Sequence, residues 1–396
     1  MERRSINMAY QGRDLINSNR VICTRCIYDD SIPGIIFDEQ GVCNYCKMVD
    51  SFMDEYKTGK PEGIAEFEKI VEKVKKAGKN QKYDVAVGVS GGTDSSYMLY
   101  LAKKYGLRPL AVHYDNTWNS AIATENIKKV TKALDVDLFT FVVDNKEIDD
   151  VFGSFFRAGV PELDAATDLA FPEIMYRACK KHKIKYSFEG HSYVEEGVSP
   201  IGYFYFDGGY ISDIHKRFGK MKMKSYPNMT FMKFLYWTIF LRIKRIRPFW
   251  YLSYSKEDAK AFLIKNYGWE YYGGHHLENR ITAFHHSYYN PIKFGIDQRN
   301  NSLGAMVRKG DMTREEAYKI YSEAPYIEPE LLEYFKKRLN LSDDEFKKIM
   351  DEKPRTHKEF KNYKKLFRLF RPLFFVLYKL NIVYKSFYMK YCVIKN

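Results

Sequence analysis

Residues 83–96 constrain the fold more than any other stretch of this 396-residue chain. Tyr83-Asp84-Val85-Ala86-Val87-Gly88-Val89 is a near-continuous apolar run with β-branched side chains, the pattern of a strand buried on both faces of a parallel sheet. Directly behind it stand Ser90-Gly91-Gly92-Thr93-Asp94-Ser95-Ser96 and then a helical pattern, Tyr97–Lys104. A strand that passes through a glycine-rich turn into a helix N-terminus aims free backbone N–H groups and the positive end of a helix dipole at one spot. That arrangement suits phosphate. The stretch is neither G-x-x-x-x-G-K-[ST] nor G-x-G-x-x-G, the two commonest phosphate loops.

The same rhythm continues downstream. A helical pattern near Ile64–Ala77 precedes the first strand. Strands are expected at Pro109–Tyr114, Leu138–Val143 and Ile184–His191, with helices near Ala121–Leu134 and Asp168–Lys181 between them. Alternating strand and helix predicts an α/β fold with a doubly wound parallel sheet, whose ligands sit at the carboxyl ends of the strands. His113, Asp115, Gly190 and His191 follow two such ends. The Ser-Gly-Gly-x-Asp-Ser stretch resembles the PP-loop of the ATP pyrophosphatases, which cleave ATP between its α and β phosphates and adenylate a substrate. The resemblance implies an ATP site built from Ser90, Gly91, Gly92, Thr93, Asp94, Ser95, His113, Asp115 and Gly190. In it Asp94 orients Mg²⁺ and the loop cradles pyrophosphate.

Four of the six cysteines form Cys23-Thr24-Arg25-Cys26 and Cys43-Asn44-Tyr45-Cys46, a C-x2-C-x16-C-x2-C pattern. Two tight knuckles at this spacing bring four thiolates to one tetrahedral ion, with Zn²⁺ the expectation and an iron–sulfur cluster the minor alternative. The turn-rich Ser31–Phe37 and Glu39–Gly41 between them read as a small zinc ribbon. A site with all four positions filled by protein staples the fold rather than catalysing.

A third block is Tyr267-Gly268-Trp269-Glu270-Tyr271-Tyr272-Gly273-Gly274-His275-His276-Leu277-Glu278-Asn279-Arg280, followed by Lys293-Phe294-Gly295-Ile296-Asp297-Gln298-Arg299 and Gly310-Asp311-Met312-Thr313. Ribbon, loop and third block together resemble the N-acetyl sugar amidotransferase family of surface-polysaccharide biosynthesis over most of residues 20–350. The resemblance implies that an acetamido group on a nucleotide-activated sugar becomes an acetamidino group in lipopolysaccharide, O-antigen or related surface-glycan biosynthesis. ATP, Mg²⁺ and ammonia would be consumed, giving AMP and pyrophosphate. Asp94, His276 and Glu278 are the expected catalytic residues, and Asp168, His191, Glu196 and His275, with Glu195 beside them, the expected substrate residues. Position 2 is Glu, and the cysteines outside the ribbon are Cys179 and Cys392, so no glutaminase nucleophile is evident. Ammonia is therefore expected from a separate glutaminase subunit resembling the histidine-biosynthesis amidotransferase, with its channelling synthase partner. The rival reading is a tRNA-modifying sulfur transferase of the same loop class.

The net charge of +14 is unevenly placed. Residues 216–250 hold ten Lys/Arg and no Asp/Glu, residues 354–396 hold eleven and one Glu, and the remainder is net acidic. A chain that coats nucleic acid is not what this describes. Thr230–Arg245 and Tyr363–Phe375 combine aromatic bulk with cations. That suits helices on the inner face of an anionic membrane, or helices packed on the protein whose cations snorkel. The opening residues show no secretory pattern, so a cytoplasmic location is expected. The expected organisation is a ribbon-bearing segment 1–60, the ATP domain 61–215, a mainly helical substrate region 216–355 and a basic aromatic tail 356–396.

Overall fold

Sheet topology sets the site in this protein. The computed structural model describes residues 10–200, 202–274, 277–380 and 382–393. Among them, five strands build one sheet: β1 (Val85–Gly88), β2 (Pro109–Asp115), β3 (Leu138–Val142), β4 (Tyr186–Phe188) and β5 (Lys244–Ile246). Their order is β3-β2-β1-β4-β5 and every neighbouring pair is parallel. β1 and β2 are apolar and buried almost throughout, as strands covered on both faces must be. After β1 the chain moves one way along the sheet, and β4 lies on β1's other side. Their carboxyl ends therefore flank the switch point where such sheets bind ligands.

Helices Pro61–Gly78, Thr93–Lys104, Ala121–Ala133 and Ala165–Lys181 lie where the apolar spacing puts them. Other elements escape that spacing. Helix Asn145–Ala158, capped by Asp144 and ended by left-handed Gly159, is one. Another is β5, which overlaps the basic stretch read as helix. That stretch is instead a short helix (Phe231–Leu235), a π-helical turn (Tyr236–Phe240) and a sheet edge. Arg245 of β5 and Arg247 just beyond it both pair with Glu189 at the end of β4, which offsets part of the charge of this edge.

The described residues divide into two units. One comprises residues 52–192, 205–280 and 355–393 and contains the sheet. Within it the two basic aromatic segments pack together. Phe231 meets Phe367 at 5.2 Å between ring centroids and Phe234 meets Phe387 at 5.0 Å, while helices Lys364–Leu369 and Arg371–Lys379 bury Phe367, Phe374 and Leu377. No helix among the described residues is long and apolar enough to cross a membrane.

The other unit comprises residues 10–51, 193–204 and 281–354 and is mainly helical. Its ribbon core gathers the four cysteines with Tyr28, Ile32 and Tyr45, and a second cluster joins Leu15 and Ile27 to Leu303, Ala317, Tyr318 and Tyr321. Reciprocal caps, Thr313 with Glu316 and Ser342 with Glu345, start two of its helices.

Candidate active site

Ser90–Gly92 bridges β1 and helix Thr93–Lys104 as a tight loop. Ser90 N–H donates to Ser95 Oγ (3.2 Å), Gly92 N–H donates to Ser90 Oγ (3.3 Å), and Ser95 Oγ donates to Gly92 O (3.2 Å). Gly91 has φ +84°, and a Cβ there would overlap the Ala123 carbonyl, so only glycine fits. Gly190, at the end of β4, lies against the Asp94 backbone, where a Cβ would stand 3.2 Å from the carbonyl carbon. The loop, its helix N-terminus and the switch point thus coincide. The fold is α/β, with a parallel sheet that carries this loop at its switch point.

Several side chains from the third block close on this loop. Left-handed Gly268 ends helix Lys256–Tyr267 and turns the chain back, burying Trp269, whose Nε1 donates to Gly91 O (3.0 Å). Asn126, fully buried, donates to Glu270 O (2.7 Å) and accepts from Glu270 N–H (2.8 Å). Ser120 N–H donates to Glu278 O and Arg280 N–H to Trp118 O, pairing residues 278–280 with the loop after β2. Asn279 Nδ2 donates to Asn116 and Asn119 (both 2.9 Å). Tyr272 Oη and Glu278 Oε1 consequently stand 3.2 and 3.4 Å from where a Gly92 Cβ would be. Burial first, then the Glu278 and Asp94 carboxylates, keeps the Tyr272 hydroxyl protonated far above its ordinary range.

Asp94 carries two partners that the spacing of the sequence did not suggest. Tyr254 Oη donates to Asp94 Oδ1 (2.5 Å), and Lys256 Nζ lies 2.9 Å from Asp94 Oδ2. Local structure explains both. Tyr254 stacks on Phe249 at 3.8 Å, and Ser255 caps the helix by accepting from Asp258 N–H, which puts Lys256 at its first position. The signal available in the sequence was Ser255-Lys256-Glu257-Asp258, a helix start, which says nothing about what its lysine faces.

The remaining expected site residues are dispersed. His113 turns inward: burial holds its pKa below the usual range, Nδ1 donates to Val89 O (2.9 Å) and Nε2 accepts from Asn119 (3.2 Å). Both ring nitrogens are thus engaged at the strand end. Asp115 accepts from Thr117 N–H (2.7 Å) within its own turn. His191 Nδ1 accepts from Trp250 Nε1 (3.2 Å). Burial, then Arg247, lowers it to about 3, so the ring is neutral. Asp168 is exposed in the first turn of helix Ala165–Lys181. Glu195 pairs with Lys309 (2.6 Å) in the other unit, where Glu196 also lies. His275 and His276 fall outside the described residues.

In the ribbon, Cys23, Cys26, Cys43 and Cys46 are buried with sulfurs all within 4.8 Å of one another. Cys23 and Cys46 Sγ are 3.8 Å apart, Cys26 and Cys43 Sγ 3.9 Å. A disulfide would need about 2.05 Å. One tetrahedral ion with sulfur at about 2.3 Å has edges of about 3.8 Å, so the donor set fits a single metal. Backbone N–H groups of Arg25, Tyr28, Cys43 and Cys46 point at the sulfurs (3.3–3.4 Å), and Arg308 Nη1 lies 3.8 Å from Cys46 Sγ, all of which offsets thiolate charge.

Comparison with known proteins bears on the C-terminal part. Residues 278–373 match the family model described as LPS biosynthesis protein WbpG-like, C-terminal domain. The matched part opens at Glu278, the residue beside Gly92. An uncharacterized protein of Methanocaldococcus jannaschii, MJ1599, is 30% identical over 171 residues, which is 43% of this chain and 58% of that relative's length. Among solved structures, NMN synthetase from Francisella tularensis shares 14% identity over 71% of this chain and 95% of its own, with a TM-score of 0.32. The U34-tRNA thiolase NcsA from Methanococcus maripaludis shares 17% over 78% and 90%, with a TM-score of 0.28. Neither likeness is close enough to bear on function.

Proposed function

We propose that this chain is an ATP-dependent amidotransferase that converts an acetamido group of a nucleotide-activated sugar into an acetamidino group, in the building of lipopolysaccharide or a related surface glycan. One observation carries the reading: a Ser-Gly-Gly-Thr-Asp-Ser loop at the β1/β4 switch point, with the WbpG-like part beginning at its rim. An amide oxygen is a poor leaving group, so ammonia alone faces a high barrier. In the proposed reaction the amide oxygen attacks the α phosphorus, an O–P bond forms, the α–β bridge breaks and pyrophosphate leaves. Ammonia then adds to the activated carbon, AMP departs with the oxygen, and loss of a proton leaves the amidine.

In this reading the Ser90–Gly92 turn exchanges its internal N–H to serine hydrogen bonds for the β and γ phosphates, which the start of helix Thr93–Lys104 also faces. Lys256 offsets their charge as the bridge breaks. Asp94 is the carboxylate that would hold Mg²⁺, which supplies charge compensation for the departing pyrophosphate. Glu278 faces the acetamido group and takes the proton that ammonia sheds, with His275 and His276 following the same strand of argument from the sequence. The four ribbon cysteines hold Zn²⁺ as a structural ion. Ammonia comes from a partner glutaminase: Cys179 and Cys392 are buried and their thiols are pushed up to about 12 by burial, which suits neither a glutaminase nucleophile nor the sulfur carrier of a tRNA thiolase.

The test is a library of nucleotide-linked acetamido sugars incubated with the protein, ATP, Mg²⁺ and ammonium. Expected is one sugar that loses the mass difference between O and NH, with AMP and pyrophosphate formed in equal amounts. ADP as the nucleotide product, or AMP formation driven by tRNA and a sulfur donor instead, refutes the proposal.

A further inference from the structure

Helices Lys364–Leu369 and Arg371–Lys379 follow one another in the C-terminal tail, and each presents a dry side to the protein. Phe367 and Phe374 are buried there against Phe231 and Phe234, and Leu377 is buried as well. The opposite side is open and sets apolar side chains among cations. Along Arg371–Lys379 and the residue that follows, positions four apart form two outward rows, Pro372-Val376-Leu380 and Arg371-Phe375-Lys379. Val376 is 51% exposed, Leu380 57% and Phe375 44%. The preceding helix adds Leu369 at 72%. Soluble surfaces carry single exposed apolar residues without consequence, but a run of them on consecutive helices marks a contact.

Charge identifies the kind of contact. From Phe360 to Val393 the sequence has no Asp or Glu, while Lys365, Arg368, Arg371 and Lys379 flank the apolar row. A partner for this face must accept hydrocarbon in its middle and supply anions around it, with no need for individual acceptors at fixed places. An anionic bilayer does this: apolar rows enter the boundary between headgroups and acyl chains, and Lys and Arg extend back to phosphate. We propose that the outward face of residues 365–380 docks this protein on an anionic lipid surface as a peripheral, in-plane contact. No helix that crosses the membrane is involved, and the docking does not rest on the proposed activity.

The experiment uses the full chain in vesicle flotation. Vesicles of phosphatidylcholine alone are compared with vesicles carrying about 30 mol% phosphatidylglycerol, at low salt and at about 1 M salt, where the screening length is about 3 Å. Expected is flotation with the anionic vesicles at low salt, and its loss on the neutral vesicles and at high salt. The Leu369→Glu/Phe375→Glu variant is expected to partition at least about tenfold less while melting like the parent, because both side chains already face water. A second variant, Lys365→Gln/Arg371→Gln/Lys379→Gln, keeps the apolar rows and should lose the preference for anionic vesicles. The proposal is overturned if the parent fails to float at low salt, if it floats equally with neutral vesicles, or if the first variant floats as well as the parent. A parent that stays down and instead forms a complex with an acidic protein overturns it too.

Discussion

Replacing Lys256 with Gln separates the stability of the loop from its proposed chemistry. The ammonium lies 2.9 Å from Asp94 Oδ2, and the two side chains are 22% and 20% exposed. A pair reached by solvent contributes about 1 kcal/mol, and Asp94 keeps the Tyr254 hydroxyl on its other oxygen and its place in the first turn of a helix. K256Q should therefore melt within about 4 °C of the parent. The kinetic effect should be much larger. A cation placed where charge grows on a leaving pyrophosphate is worth about 10²–10³ in rate, or about 3–4 kcal/mol. Pyrophosphate release followed with saturating ATP and sugar should fall by that factor, while scanning fluorimetry barely moves. Lys256→Arg, which keeps the charge in a different shape, should recover part of the rate. Undiminished pyrophosphate release by K256Q would refute the role given to Lys256. So would a loss of rate matched by a comparable loss of stability, because the lysine would then be only a structural partner of Asp94.

Three further outcomes follow from the geometry. Gly91→Ala must place a Cβ at φ +84° against the Ala123 carbonyl, so denaturant unfolding should show a loss of about 3 kcal/mol; parental stability would mean the loop is built otherwise. Metal analysis of the purified chain should find one zinc per molecule, and its removal should melt the ribbon at lower temperature, whereas a brown, iron-bearing protein would contradict the single-ion geometry. Burial raises Glu162 to about 7, from 4.5, so its protonated form is favoured in the folded chain. Stability from this group is full below pH 4.5 and is lost as pH rises through 7, by about 3 kcal/mol. Glu162→Gln should thus gain stability over the parent at pH 8 and match it near pH 4, read by urea unfolding at both values; a variant no more stable at pH 8 would refute the cost assigned to this carboxylate.

Local patterns of the sequence were enough for the first four strands, the Ser-Gly-Gly turn after β1 and the ribbon. Continuous apolar runs have no stable exposed setting, a Ser-Gly-Gly stretch between strand and helix forms a tight turn closed by its own serines, and paired C-x2-C knuckles bring their sulfurs together through short-range geometry alone. Patterns of this kind could not reveal β5, because Lys244-Arg245-Ile246 reads as strand only beside β4, whose Glu189 pairs with Arg245. Nor could they set Lys256 and Tyr254 on Asp94, join Trp269 to the Gly91 carbonyl across 178 residues, or put residues 281–354 in one unit with the ribbon. Those decisions belong to the tertiary structure. A charge or a hydrogen-bond donor carries no mark of its partner in the chain, and it acquires one only when packing of the apolar faces has fixed which loops meet.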